Sequence, residues 1–578
     1  MKYFIPEWDD RIDQEYDFIL DNHSQRHNSN PFSDHYMWEI FGIDNVPFDG
    51  VLVSRVKVEE NQNKKGRIKD VGIHSFLRLP KSFPIIGDCG AFGYIKEKVP
   101  KYDAVEILEY YQSLGFNSGV TVDHLVVPKF ATEKDFRMKI TFENGLKAYE
   151  EWLRKYRNDF QLLCALQGWD VQDYLNMFRK YVIRGVLDFG IGGLARKPTL
   201  HITRLVDELI KEIKGSQKVP GQLHFFGLAR QTLFPYFERL EDLGVRVTFD
   251  SASFLRRAWL SAQNNYVTIT GKGYSAIRIP QIGEKTGLRG KRKLDSSANI
   301  GQLKTLEQEC LAKMRSFDRG ETDIQLVMRT VKSFDKIMGE DRFHNLEEHY
   351  LETLQEAPWK KCDCPICKKA GVEVIIFRGN NRNRRRGFHN VWVFYNILKE
   401  PKNWIEKTLA IEQSIQEVDL ATLQKRESAL VITSCTKEKL GYDNNTKCKA
   451  ENMYRGRLFR TVREFCKVKG LDYVIISAKY GLLFPNEQIE GYEKVLKTKR
   501  DIEAIRPQVE ERLTKILNRY DKVILIAGSN YARVLRGIVD GRFLRVKSRG
   551  YGDLCSTVKK AIADFTVRPI EEFLETGN

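Results

Sequence analysis

A chain of 578 residues is too long for one compact core, and two to four domains of about 150 residues each are expected. Its 42% hydrophobic and 11% aromatic content is that of a folded globular protein, and no uncharged apolar run reaches the length of about eighteen residues that a bilayer span needs. The opening MKYFIPEWDDRIDQEYDF lacks the basic flank and apolar core of a signal peptide, which predicts a cytoplasmic protein, while a net charge of +17 points to a polyanionic partner or, more plainly, to a solvated basic surface.

Between about residue 80 and residue 255, the runs FPIIGDCG, SGVTVDHLVV, FQLLCALQG, VLDFGIGG, QLHFFGLA and VRVTFDS predict strands. Between them AVEILEYYQSLG, NGLKAYEEWLRKYRND, VQDYLNMFRKYVIRG and PTLHITRLVDELIKEIKG place apolar residues at helical spacing. This alternation predicts an α/β protein with a parallel sheet. Asp88, Asp123, Gln167, Gly192 with Gly193, Gly227 and Asp250 stand at the ends of these strands, where a (β/α)8 barrel of TIM type gathers them on one rim. An open doubly wound sheet would use only the ends beside its switch point, and no G-x-G-x-x-G turn is present, so the barrel is preferred.

Residues 282–301, IGEKTGLRGKRKLDSSANIG, lack apolar periodicity and read as a mobile basic loop placed to touch a phosphate backbone. Further on, KCDCPICKK supplies Cys362, Cys364 and Cys367, and His389 follows after a strand-like GVEVIIF and a basic loop. Three thiolates and one imidazole complete a closed, structural Zn2+ site with no position for an activated water. Three packed cysteines and an unrelated surface histidine are the alternative, which the tight spacing with Pro365 disfavours. The run GNNRNRRRG sets Arg384, Arg385 and Arg386 beside His389, where guanidinium forks grip phosphates or form a merely solvated loop; Arg256 and Arg257 are assigned the same backbone-binding role.

A second α/β pattern, SALVITSCTKEKL, LDYVIISAKYGLLFP and DKVILIAGSN, begins near residue 428. The expected domains are therefore a barrel over 1–345, a zinc-binding subdomain with closing helices over 346–427, and a small α/β domain over 428–578. Cys435 and Lys479 read as residues ending core strands, with a site as the alternative.

A carboxylate on a barrel rim can attack the anomeric carbon of a nucleoside while a second one manages protons. Asp250, ending an apolar strand ahead of small residues, is the candidate nucleophile, and Asp88, on a glycine-containing turn, the candidate acid/base. Helix capping is the plainer role for either aspartate. Asp123 and Gln167 have the acceptors and donors to read a guanine edge, and GIGGLAR adds exposed N–H groups at Gly193 and Leu194.

Over about residues 80–400 these segments resemble the tRNA-guanine transglycosylase superfamily. Its D-S-G-G-F-Q turn is matched by Asp88 in GDCGAFGY, with Cys89, Ala91 and Gly93 departing from the pattern; its I-Q-G by Leu166, Gln167 and Gly168; and its G-G-L by Gly192, Gly193 and Leu194. FDSASF around Asp250 is similar to the archaeosine-forming and DNA-modifying branches, and the three cysteines with His389 match the superfamily's zinc motif. SCTKEK, YRGRLFR and SAKYGLL resemble the peroxide-stress protein YaaA, where archaeosine enzymes carry an RNA-binding module. The combination is similar to bacterial and phage DNA 7-deazaguanine transglycosylases.

That resemblance implies a pentosyltransferase that exchanges guanine in DNA for a free 7-deazaguanine, 7-cyano-7-deazaguanine first, through a covalent aspartyl-glycosyl intermediate. A homodimer and a partner ATPase belong to the same set of expectations. The alternatives are an archaeosine-type enzyme acting on tRNA, and a catalytically silent nucleic-acid-binding subunit, against which the presence of both Asp88 and Asp250 speaks.

Overall fold

The computed structural model describes the chain except residues 196, 198, 283–299, 338–341, 401–415, 419–428, 437, 441–446, 497, 518, 521, 536–542, 547–550 and 568–578. The expected basic loop at 282–301 lies almost wholly outside the described residues. The chain divides into two compact units: residues 1–197 with 201–404, and residues 405–578 grouped with 198–200.

Eight parallel strands close into a barrel: β1 (Lys2–Pro6), β2 (Gly50–Ser54), β3 (Ile85–Asp88), β4 (Ser118–Val120), β5 (Gln161–Leu166), β6 (Asp188–Ile191), β7 (Gln222–Phe225) and β8 (Arg246–Asp250). They pair in chain order, and β8 closes on β1 with Phe4 opposite Asp250. Because strand residues alternate sides, Phe4, Leu52, Ile86, Val120, Leu163 and Ala165 form one plug inside the barrel. Their neighbours Tyr3, Val51, Val53, Ile85, Leu162 and Cys164 pack outward, in the layer shared with the helices.

The helices follow their strands: α1 (Glu106–Leu114), α2 (Lys134–Lys155), α3 (Val171–Ile183), α4 (Thr199–Ser216), α5 (Phe234–Glu241) and α6 (Ser253–Leu260). In α3 the Asp170 side chain caps the Asp173 N–H while Asp173 reaches back, and Tyr174, Met177, Phe178 and Tyr181 bury one stripe. All six strands expected from the sequence are present. The two that complete the barrel, β1 and β2, lie before residue 80, where short helices and turns interrupt the alternating pattern.

A long helix, α7 (Gly379–Lys399), crosses to α6 through Gly387. A Cβ at Gly387 would lie 2.8 Å from the Leu255 carbonyl oxygen, so only glycine admits this approach. Here the structure corrects the sequence reading twice. GVEVIIF is not a strand but a 3-10 turn over Gly371–Ile375 followed by a two-residue strand, Ile376–Phe377. GNNRNRRRG is not a loop: it is the first turns of α7, held helical because its arginines find partners inside the protein.

The second unit holds a six-stranded sheet: β9 (Gln416–Val418), β10 (Ala429–Ser434), β11 (Asp472–Ser477), β12 (Gly481–Leu483), β13 (Lys522–Ile526) and β14 (Phe543–Val546), in the order β9-β14-β13-β10-β11-β12. All neighbours are parallel except β11 and β12. Among the described residues no helix is long and apolar enough to cross a membrane.

Candidate active site

Asp250 is the last residue of β8 and is 6% exposed, less open than the small residues after it suggest. Its Oδ1 accepts from the Gly227 N–H at 3.0 Å and lies 3.3 Å from His224 Nε2. A polar ladder on the inward faces of β7 and β8 orients this contact. Gln222 Nε2 donates to Thr248 Oγ1 at 3.1 Å, and Thr248 Oγ1 lies 2.8 Å from His224 Nδ1. With the threonine hydroxyl donating to Nδ1, the imidazole carries its proton on Nε2 and donates it to Asp250. His224, wholly buried, was not singled out from the sequence. The available signal was a histidine at an inward position of an apolar strand, two residues from Gln222 and level with Thr248.

Asp88 ends β3 and is half-buried. Its Oδ1 is enclosed and has no hydrogen-bond partner among the described residues. Burial pushes its pKa up to about 7, with the charges of Asp123 and Asp250 adding to the rise, against hydrogen bonds from Ser54 and Gly90. Both carboxylates accept hydrogen bonds, but Asp88, with one oxygen enclosed and unpartnered among the described residues, is poised to carry a proton near neutrality, as acid/base catalysis requires.

Asp123 and Gln167 meet, with Gln167 Nε2 donating to Asp123 Oδ2 at 2.6 Å. The Cys89 thiol donates to Asp123 Oδ1 at 3.2 Å, and the Tyr94 hydroxyl donates to the Asp123 carbonyl at 2.9 Å. Burial raises the Asp123 pKa, and the Cys89 and Gln167 hydrogen bonds oppose it. Gln167 is fully buried, and among the described residues its Oε1 has no donor. A buried amide oxygen left this way costs about 1–3 kcal/mol until a ligand supplies the missing N–H.

The glycines at the end of β6 make room for this pair. A Cβ on Gly192 would stand 2.2 Å from Gln167 Nε2, and Gly193, at φ +75°, would put one 2.9 Å from Gln167 Oε1. Tyr174 pins the turn by donating to the Gly192 carbonyl at 2.8 Å. Leu194 corrects an expectation: it is 0% exposed, so its N–H is not presented to solvent, and only Gly193 is half-open.

Cys362, Cys364, Cys367 and His389 form a cluster that can hold a metal ion. Each sulfur lies 3.4 Å from His389 Nδ1. His389 Nε2 donates to the Val267 carbonyl at 2.8 Å, which leaves Nδ1 free as a ligand, and the ring stacks on Tyr266 at 3.9 Å. Cys364 also caps the short helix Pro365–Ala370 by accepting from the Cys367 N–H.

The arginines were expected to face phosphates, and the structure reassigns Arg385 and Arg386. Arg386 is 0% exposed and donates to the carbonyls of Val374, Ile376 and Ala258. Arg385 is likewise buried, donating to Asn381 and the Asp13 carbonyl, and half-buried Arg384 donates to the Arg11 carbonyl. With Arg378 and Arg382, both paired to Asp21, Arg384 and Arg385 fasten the N-terminal segment to α7. A buried guanidinium so occupied has no fork left for DNA. Arg386→Ala is expected to lower stability by about 3 kcal/mol, because three carbonyls lose their donors, while leaving DNA affinity of the folded fraction unchanged. Denaturant melts and a binding isotherm check both halves. Arg257 remains exposed on α6, and Arg256 stacks on Trp8 at 3.8 Å.

Residues 430–549 match a family of unknown function, DUF6884. The chain is also 32% identical over 417 residues to a DNA-guanine transglycosylase from Salmonella montevideo, an alignment that covers 69% of this chain and 97% of that protein.

Proposed function

The chain belongs to the DNA-guanine transglycosylase family, and on that premise we propose that it exchanges guanine in DNA for a free 7-deazaguanine, 7-cyano-7-deazaguanine being the first choice, through an ester between Asp250 and the sugar. The observation that carries this reading is the contrast between Asp250, fixed by Gly227 and His224, and Asp88, half-buried with its Oδ1 enclosed and its pKa pushed up to about 7, on the same barrel rim.

The target guanosine leaves the stack, at a cost of about a few kcal/mol. The base edge then supplies the N–H donors that Gln167 Oε1 lacks, beside Asp123. Phe92, 60% exposed on the turn that carries Asp88, offers a ring for stacking. An Asp250 oxygen bonds to the anomeric carbon as the glycosidic bond breaks. Its electron pair passes to the base, which takes the Asp88 proton. The incoming 7-deazaguanine returns its ring proton to Asp88, its nitrogen bonds to the anomeric carbon, and Asp250 is released as carboxylate. No nucleotide cofactor enters, since one glycosidic bond replaces another. Arg256 and Arg257, on the helix directly after Asp250, contact the strand backbone.

Cys362, Cys364, Cys367 and His389 hold a structural zinc. With metal bonds of about 2.3 Å to sulfur and about 2.0–2.1 Å to nitrogen, a tetrahedron separates the two ligand types by about 3.5 Å, close to the 3.4 Å observed. Four protein ligands would close the site, and a bound metal would hold α7, against which α6, the helix that follows Asp250, rests.

Purified protein incubated with radiolabelled 7-cyano-7-deazaguanine should label duplex DNA and leave bulk tRNA unlabelled. Label in tRNA alone moves the protein to the archaeosine-type reading, and label in neither overturns the proposal. Single-turnover release of guanine needs protonated Asp88 and is expected to fall about tenfold per pH unit above about 7, a limb that Asp88→Asn removes. Folding raises the Asp88 pKa, so its stabilising contribution is present below the unfolded value of about 3.9 and lost as pH rises through about 7. Asp88→Asn is therefore expected to melt above wild type at pH values beyond 7, as calorimetry would show.

A further inference from the structure

The second compact unit contains an arrangement that base exchange does not use. From β10 the chain passes to β11 on one side, then returns through the helix Lys499–Leu517 to β13 on the other. The carboxyl ends of strands at such a reversal enclose the crevice where open α/β sheets bind ligands. Cys435 follows β10, Ser477 ends β11, and Tyr531, just beyond β13, lies with its hydroxyl 3.2 Å from the Cys435 sulfur. The Ser477 and Tyr492 hydroxyls are 2.8 Å apart, and those of Tyr492 and Tyr454 3.0 Å.

Two cations lie near the ring of Tyr492, the central member of this hydroxyl chain. Lys439 Nζ lies 4.5 Å from the Tyr492 ring centre and Lys479 Nζ 5.8 Å from the same ring. Lys439 is only 8% exposed, yet among the described residues its ammonium has no hydrogen bond or ion pair. Cys435 and, more weakly, Glu493 act on it only through space, without a hydrogen bond or ion pair. A nearly buried lysine normally keeps a counter-ion, because desolvation penalises an unpaired charge, and a second ammonium facing the same ring raises that penalty. Cation–π attraction to one tyrosine offsets part of it. A tetrahedral oxyanion would offset the rest, accepting from both ammonium groups and from the one hydroxyl proton that the two bonds of the chain leave over.

We propose that Lys439, Lys479, Ser477 and Tyr492 form a phosphate-binding site beside Cys435 at the carboxyl edge of this sheet. The phosphate of a free nucleotide and that of a DNA backbone offer the same chemistry to these groups.

The test is brief acetylation of the full-length protein with acetic anhydride, each lysine being quantified by peptide mass spectrometry. It is run alone, with inorganic phosphate, with adenosine 5′-monophosphate and with a duplex oligonucleotide, all at ionic strength matched with chloride. Phosphate should slow modification of Lys439 and Lys479 by about fivefold or more while leaving Lys515, exposed on Lys499–Leu517, unchanged. Protection by phosphate and the mononucleotide assigns the site to a free ligand, and protection by the oligonucleotide alone assigns it to the DNA backbone. Lys479→Met, at an exposed position, should abolish the protection of Lys439, and Lys439→Arg should retain that of Lys479. Equal modification rates under all four conditions, or protection of Lys439 that Lys479→Met does not alter, would overturn the proposal.

Discussion

Replacing Asp250 by asparagine is expected to reduce incorporation of labelled 7-deazaguanine into DNA by about 10⁴-fold or more, the scale seen when a covalent nucleophile is removed. An amide oxygen is a poor nucleophile toward the anomeric carbon, yet it can keep both contacts that hold the carboxylate. The Gly227 N–H and the His224 Nε2–H still find an acceptor at Oδ1, so the fold loses little. The melting temperature should stay within a few degrees of wild type, and that separates chemistry from collapse. In the wild type, a DNA–protein adduct that survives denaturation should form when guanine is released without a replacement base, and Asp250→Asn should form none. Incorporation within tenfold of wild type by the asparagine variant would rule Asp250 out as nucleophile.

Loss of the metal ligands should act through stability. Cys364 and Cys367 are 0% and 3% exposed and His389 1%, so Cys364→Ser leaves two thiols and an imidazole packed together with no ion to bind them. Structural zinc contributes about 10–16 kcal/mol to small domains that depend on it; packing around α7 offsets part of that loss here. A fall of about 10 °C or more in melting temperature is expected for Cys364→Ser, or for wild type treated with a strong chelator at elevated temperature. Elemental analysis should give one zinc per wild-type chain and none for the variant. Activity should fall in step with the folded fraction, since α7 supports α6, the helix that follows Asp250, through Gly387 and Arg386. A variant that binds no metal yet melts like wild type would show that the cluster is only packed cysteines and a histidine.

Local pattern determined a large share of this protein. The alternation of short apolar runs with segments of helical spacing over residues 80–255 specified six strands and the helices between them, because each pattern fits one kind of element. The spacing of Cys362, Cys364 and Cys367 likewise announced a ligand set, since tetrahedral coordination needs short loops. Tertiary structure alone decided the rest. β1 and β2 became barrel strands only by pairing with β8 and β3, partners up to some 250 positions away in the chain. Arg384, Arg385 and Arg386 look like a phosphate grip in one dimension, and Arg385 and Arg386 are inside because Asp13, Val374, Ile376 and Ala258, from distant segments, bring them carbonyls. Asp88 acquires its pKa near 7, and Gln167 its unpaired oxygen, from burial among side chains of other strands. Sequence specifies which groups exist and which way each element faces; the dielectric and partners that set a group's charge exist only after long-range contacts have closed around it.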